Sequence, residues 1–270
     1  MSSNAGLLTL RKWYFSLNEE AGPDFEAMAR AAVRSCLRNT HLQPHCLYAG
    51  SPNAFTAWLQ DHQVKVVFHR AAFLEPLIAA GRCDQAYGTV ARGAFLRVEV
   101  PRIEQEDRLV LYTDVDVIFL EDLAGPQPLP RLFACAPQFL PTDYSYLNSG
   151  VMLVHVPRMR DEYGAFVEYI RAEFPRFEAY DQGAFNTFFR GRWDQLSPLW
   201  NWKPYWGVHE QAKILHFHGP KPRHIEEHLA GGVASECALI RTLLALSPEG
   251  NRRALELFRR FDRDAEETAP

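Results

Sequence analysis

No stretch of this 270-residue sequence approaches the ~20 uncharged apolar residues that a membrane-crossing helix needs, so a membrane-spanning protein is not expected. The opening segment MSSNAGLLTLRKW has no apolar core behind a basic cluster, which argues against a secretory signal and for a cytoplasmic protein. Cysteine is sparse. The five residues Cys36, Cys46, Cys83, Cys135 and Cys237 form no C-x-x-C pair, so neither a zinc site nor a disulfide framework is expected, and buried thiols in a reducing compartment are. An excess of positive charge is also missing: 29 Lys and Arg stand against 33 Asp and Glu, a net charge of -4 that argues against a dedicated nucleic-acid binder. With only 16 glycines and 18 prolines, and no segment that repeats at a fixed period, collagen, solenoid and linker proteins are excluded too. What remains is a globular chain, 47% hydrophobic and 23% charged, long enough for one large domain or two small ones.

The first hundred residues alternate between two periods. Lys12 to Leu17 is a strand-like apolar run, and Phe25, Met28, Ala29, Ala32, Val33 and Cys36 follow at helical spacing behind Pro23-Asp24. The alternation continues with a strand at Cys46 to Tyr48, a helix at Phe55 to Leu59, a strand at Val64 to Phe68 and a helix at Phe73 to Ala80. Parallel strands need crossover connections, so this pattern predicts an α/β fold with a mostly parallel sheet covered by helices. Ligands are then expected beyond the carboxyl ends of the strands.

The segment Arg108 to Leu120 is an apolar, β-branched run interrupted by Asp114 and Asp116. On a strand, residues two apart point to the same side, which would set both carboxylates together at the end of a buried strand. Their repulsion would be resolved by a divalent cation. If the strand has already ended, the same pair fits a solvated turn.

Further strands are expected at Leu132 to Gln138 and Leu147 to Val156, the second led by Asn148-Ser149-Gly150, small polar residues that suit a close backbone approach or a plain turn. Tyr163 to Phe174 has helical periodicity. Another helix opens at Tyr180-Asp181-Gln182, where an acid in the first turn is ordinary capping. In Lys213 to Pro222 an apolar strand ends in His216, His218, Gly219 and Lys221. The two histidines would share a strand face, and the glycine would let backbone amides near Lys221 approach an anion. Leu239 to Leu246 and Arg252 to Phe261 read as terminal helices. An acidic pair, a histidine and a lysine beside a glycine turn suit a diphosphate held through Mn²⁺ or Mg²⁺.

The ordered motifs LYTDVDVIF, LNSGVMLV, YDQGAFN and ILHFHGPKP resemble the retaining glycosyltransferases of family 8, the group containing glycogenin and bacterial lipooligosaccharide galactosyltransferases, over roughly residues 10 to 225. The resemblance implies a GT-A fold, a UDP-sugar donor and Mn²⁺ or Mg²⁺. By position it implies that Asp114, Asp116 and His216 hold the metal, that Val115 and the Ser16-Leu17-Asn18 strand end meet the nucleotide, and that Gly219 and Lys221 hold the diphosphate. Arg97 in FLRVEVP resembles an arginine that reaches the donor, Asn148 lies in the N-S-G motif, and Asp181 and Gln182 match the D-Q pair beside the donor sugar. Two departures stand out: a single proline separates Gly219 from Lys221, and SLNEEAGPDF lacks the usual acidic and aromatic nucleotide contacts.

The implied reaction moves a hexose from a UDP-sugar to a hydroxyl of a bacterial-type surface glycan or glycolipid, with attack on the face from which UDP leaves. Residues 1-230 would form the transferase domain and 231-270 a helical extension packed on it. Leu257, Phe258 and Phe261 among Arg252, Arg253, Arg259, Arg260 and Arg263 make a basic amphipathic helix suited to an anionic inner-membrane face or to the domain's own core. Trp200, Trp202 and Trp206 suit either an acceptor wall or a loop anchor. Two alternatives use the same residues. A haloacid-dehalogenase-like phosphatase would use Asp114 and Asp116, although Ile118 and the lack of any Gly-Asp or Asp-Asp between 121 and 250 depart from its pattern. A catalytically inactive sugar-nucleotide-binding protein would keep the site and lack turnover.

Overall fold

The computed structural model describes residues 7–232 and 235–262. The chain runs through β1 (Leu7–Leu10), β2 (Lys12–Asn18), α1 (Pro23–Asn39), β3 (Gln43–Ala49), α2 (Ala54–Asp61), β4 (Lys65–Phe68), α3 (Glu75–Ala79) and α4 (Gln85–Ala94). A 3₁₀ turn at Phe95–Glu99 leads to α5 (Val100–Ile103), β5 (Leu109–Thr113), β6 (Val117–Phe119), β7 (Gly125–Pro128), β8 (Phe133–Pro137) and β9 (Leu147–His155). The remainder is α6 (Val156–Glu173), α7 (Asp181–Phe188), β10 (Asp194–Gln195), β11 (Ile214–His216), α8 (Pro222–Leu229), α9 (Ala238–Leu246) and α10 (Pro248–Asp262).

Seven strands form the central sheet in the order β10-β8-β9-β5-β2-β3-β4. Only β9 runs against its neighbours; the other pairs are parallel, as the alternating periods predict. Both faces are covered, so the strands read as continuous apolar runs. Along β2, Trp13, Phe15 and Leu17 enter the core beneath α1 and α2, while Tyr14 enters the opposite core. β5 does the same with Leu109 and Leu111 on one side and Val110 and Tyr112 on the other. From β2 the chain builds outward through β3 and β4, then returns to place β5 on the other side of β2. The crevice between the carboxyl ends of β2 and β5 is therefore where the winding reverses, the place where such sheets bind ligands.

A third core lies under a small antiparallel pair, β6 with β11, and takes Ile118, Leu215, Phe217, Ile225, Leu244, Leu255 and Phe261 from the pair and the C-terminal helices. Leu255 and Phe261 of α10 are buried, with Leu257 and Phe258 packed against the same core, so the apolar side of this helix faces the domain. Arg263 lies outside the described residues. Among these, no helix is long and apolar enough to cross a membrane.

Several expectations need correction. Arg108 to Leu120 is two strands in different sheets, because the chain turns at Asp114 to leave the central sheet for the β6–β11 pair. β11 ends at His216, so His218 does not share its strand face. Phe25 is 41% exposed and belongs to no core. Of the cysteines, Cys36, Cys46 and Cys135 are buried, whereas Cys83 is half-buried and Cys237 exposed. The helices α4 and α5 were not expected from the periodicity, nor was the β1–β7 pair.

Trp13 ties this architecture to the crevice. Its ring is fully buried against Phe15 and Phe119, and its Nε1 donates to Thr113 Oγ1 at 2.8 Å. Trp13→Ala is expected to lower unfolding stability by about 3–5 kcal/mol, seen as a reduced denaturant midpoint. Trp13→Phe, which removes mainly the hydrogen bond, should cost about 1 kcal/mol.

Candidate functional site

β5 ends at Thr113, one residue before its last backbone hydrogen bond to β9. Thr113 Oγ1 donates to Asp114 O at 2.7 Å, and Asp114 N donates to Gly150 O at 2.9 Å. Asp114 and Asp116 thus occupy a short turn between β5 and β6. The turn is not solvated in the way a plain loop would be: Asp116 is 4% exposed, and Asp114 is half-buried. The register of β6 with β11 pairs His216 with Val117, which brings the imidazole over the two carboxylates. His216 Nε2 lies 3.4 Å from Asp116 Oδ1 and 3.9 Å from Asp114 Oδ2.

The ligand atoms of these three residues lie within 4.8 Å of one another. Two carboxylate oxygens and one imidazole nitrogen fit a divalent cation that accepts oxygen and nitrogen donors. The approach depends on Gly150. A Cβ there would overlap the His216 ring and stand 2.9 Å from Asp114 Oδ2.

Positive charge is arranged on both sides of the acids. Lys221 Nζ donates to Asp116 Oδ2 and to Phe217 O, the latter at 3.0 Å. Burial alone would raise the Asp116 pKa, but the charge and hydrogen bond of Lys221 oppose it, and the group is held well below the usual carboxylate range. Arg97 is buried with its guanidinium 4.7 Å from the centre of the Tyr112 ring. It donates to Ser149 O at 2.5 Å and to Asp114 Oδ1 at 2.6 Å, and its Nε lies 2.9 Å from Asp181 Oδ2. Asp181 is also buried, and burial raises its pKa to about 6 despite the attraction of Arg97, with the charge of Asp114 adding to the rise. It is therefore not the exposed capping acid that the sequence also allowed.

The loop before α7 explains how Asp181 and Gln182 reach the cleft. Ala179 and Tyr180 both adopt left-handed backbone, with φ of 53° and 56°, a conformation costly for residues with a Cβ. A Cβ on Gly183 would run into Glu178 O, so the glycine of Y-D-Q-G lets this loop fold back on the helix start. On the facing strand, Ala136 pairs with Asn148 while the preceding Cys135 pairs with Met152, so Ser149, Gly150 and Val151 bulge away from β8. Gln182 Oε1 accepts from Ser149 N at 3.1 Å and from Asn148 Nδ2 at 3.0 Å.

These elements enclose a cleft of about 630 Å³. Of the residues expected in a site, Ser16, Leu17, Asn18, Arg97, Asp114, Val115, Asp116, Asn148, Asp181, Gln182, His216 and Lys221 all line it. Gly219 does not. It adopts φ 76°, and a Cβ there would press on Leu243 Cδ1 of α9 at 2.8 Å, so it shapes the turn and the helix contact behind it. Ser16 Oγ donates to Gly93 O at 2.9 Å, and Asn18 Nδ2 donates to Thr89 O, which anchors α4 on the β2 end. Arg97, expected to reach a donor, has its donors engaged by Ala94, Asp114, Asp181 and Ser149. Trp200 is buried in the core beneath α1, and Trp202 packs on the third core. Trp206 donates from Nε1 to Phe139 O at 2.6 Å and lies 4.2 Å from the ammonium of the buried Lys203.

His218, expected on a strand face with His216, lines the cleft from beyond the end of β11. Sequence reasoning missed Phe25, Thr89, Val90 and Gly93 at the β2 end of the cleft, Gln138 at the other, and Asn201 behind it. None sits in a recognisable motif. Asn201 does carry one faint signal, an amide inside an otherwise aromatic run.

Residues 134–224 match the sequence profile described as Glycosyl transferase family 8. No curated protein matches the chain in sequence. Among solved structures, the chain is similar to the glycosyltransferase GlyE of Streptococcus pneumoniae TIGR4, with a TM-score of 0.60 at 17% identity over 95% of this chain and 65% of that one. This chain thus spans just under two thirds of the GlyE chain. It is also similar to galactosyltransferase LgtC in complex with donor and acceptor sugar analogs, with a TM-score of 0.62 at 17% identity over 95% of this chain and 98% of that one. Mouse xyloside xylosyltransferase 1 gives 0.53 at 18% identity over 77% and 97%. The fold is the α/β fold of GT-A glycosyltransferases, and the resemblance to family 8 stands. Together these matches support a glycosyltransferase over the phosphatase alternative.

Two outcomes follow from this geometry. Gly150→Ala should push His216 off the carboxylates and weaken Mn²⁺ binding by about 10- to 100-fold in a titration, with the fold retained. Asp181 has a folded pKa of about 6 against an ordinary 3.8, so the folded protein keeps a proton that the unfolded chain releases between these values, and stability falls as pH rises through that window. Asp181→Asn abolishes this loss. Metal-free thermal unfolding should therefore show the variant gaining on the wild type from about pH 4 to about pH 7.

Proposed function

We propose that the protein is a metal-dependent, retaining glycosyltransferase that moves a hexose from a UDP-sugar to an acceptor hydroxyl, as on a surface glycan or glycolipid. The observation that carries this reading is one cleft holding Asp114, Asp116 and His216 within bonding reach of a single cation, with Lys221, Asp181 and Gln182 around them.

Asp114, Asp116 and His216 would hold Mn²⁺ or Mg²⁺, which supplies positive charge to the departing diphosphate. Lys221 adds a second positive charge at that end of the cleft. The β2 end, with Leu17, Asn18, Phe25 and Val90, offers apolar and amide surface for the nucleotide. Asp181 and Gln182 would face the donor sugar. Asp181 Oδ2 is engaged by Arg97 and by Ser149 Oγ, the latter at 3.2 Å. A carboxylate held in this way is suited to orienting sugar hydroxyls, and same-face attack by the acceptor follows as the favoured course.

The test is to incubate the protein with Mn²⁺ and a panel of UDP-sugars and to measure UDP release, with Asp116→Ala as control. Mn²⁺-dependent UDP release by the wild type and its loss by at least ~100-fold in the variant are expected, the scale of losing one strong electrostatic contact. UDP binding without turnover would establish the inactive binding protein instead. Equal activity in the variant would remove Asp116 from the site.

A further inference from the structure

We infer that Asn201 is a positioning residue that selects which ring nitrogen of His216 faces Asp114 and Asp116, and that the backbone amides of Ser149 and Gly150 set the polarity of this selection. The inference deepens the proposed metal site and rests on that reading only for its effect on the cation.

The backbone amides around the bulge of β9 have a hydrogen-bond direction that cannot be reversed. A backbone N–H donates and never accepts. Gly150 N lies 3.2 Å from one terminal atom of Asn148, which must therefore be the oxygen, Oδ1. The same oxygen lies 2.7 Å from a terminal atom of Asn201, and two amide oxygens would repel there, so Asn201 presents its NH₂. Asn201 consequently turns Oδ1 toward His216 Nδ1, 2.8 Å away. An amide oxygen only accepts, so Nδ1 carries the proton of the neutral ring.

That assignment leaves the lone pair on Nε2, the nitrogen 3.4 Å from Asp116 Oδ1. The opposite tautomer would aim an N–H at the carboxylates and make His216 their hydrogen-bond donor in place of a metal ligand. Ser149 N fixes the other arm in the same way. It donates to Gln182 Oε1, which also accepts from Asn148 Nδ2, so the carbonyl of Gln182 is taken by β9 and its NH₂ is turned toward Tyr146. Asn148 Nδ2 gives its second proton to Gln138 Oε1 at 2.7 Å. Asn201 is fully buried, and Asn148, Gln182 and His216 are nearly so, so water does not offer alternative partners that would blur the polarity. One relay of amides thus couples the bulge of β9 to the metal ligand and to the D-Q pair.

The experiment reads the His216 tautomer in metal-free protein by long-range proton–nitrogen correlation NMR on ¹⁵N-histidine-labelled samples. It also reads Mn²⁺ affinity by electron paramagnetic resonance of the free ion. The wild type should show Nδ1–H. Asn201→Asp keeps an acceptor toward Nδ1 and should retain the proton on Nδ1, although it sets an oxygen against Asn148 Oδ1, while Asn201→Leu should lose the tautomer and about 10- to 100-fold in Mn²⁺ affinity. Circular dichroism checks folding of both variants. An Nε2–H wild type overturns the inference without need of any variant, as does a folded Asn201→Leu protein with unchanged tautomer and affinity. A wild type with Nδ1–H that binds no Mn²⁺ supports the tautomer and overturns the metal reading alone.

Discussion

Gathering Asp114, Asp116 and Asp181 into one largely buried cleft is the constraint around which this molecule is arranged. Buried carboxylates repel one another and have lost their water, so each must meet a cation or a hydrogen-bond donor. Arg97 lies between Asp114 and Asp181, and Lys221 answers Asp116. The two responses are unequal. Asp116 is held well below the ordinary carboxylate range, whereas Asp181 is raised to about 6. Environments that push similar acids apart in this way are a mark of functional sites.

The backbone makes this gathering possible by exceptions to regular structure. β9 carries its bulge at Ser149, Gly150 and Val151, opposite the point where β5 gives up its strand, and the two irregularities meet through the Asp114 N to Gly150 O hydrogen bond. Glycine is required at Gly150 by the His216 ring and at Gly183 by the folded-back loop. The left-handed Ala179 and Tyr180 store strain beside Asp181, as is common where a loop must aim a functional side chain. Farther out, α9 backs the Gly219 turn, so the C-terminal helices support the cleft from behind as well as closing the third core.

Much of this was legible in advance because it follows from local rules. Apolar runs at Lys12 to Leu17 and Leu147 to Val156 and the helical spacing of Met28 to Cys36 answer directly to burial on both faces of a sheet. Twelve of the thirteen expected site residues line the cleft because they lie in short motifs whose residue types are uncommon in an apolar context. Less was legible where distant segments decide. The run from Arg108 to Leu120 has the composition of one strand. It is two because Ile214 to His216 offers Val117 to Phe119 a partner in another sheet. Phe25 has helical spacing with the core residues of α1, yet it stands at the helix start beside the cleft and is 41% exposed.

By itself the sequence determined the α/β class, the order of its main elements and the chemical types at the cleft, since periodicity and motif are properties of neighbouring residues. Tertiary structure decided which groups face one another and in what polarity. Asn201 shows the difference. It is an unremarked amide in an aromatic run, and it acquires a role only when folding brings it between His216 and Asn148, because a hydrogen bond's direction is fixed by both of its partners.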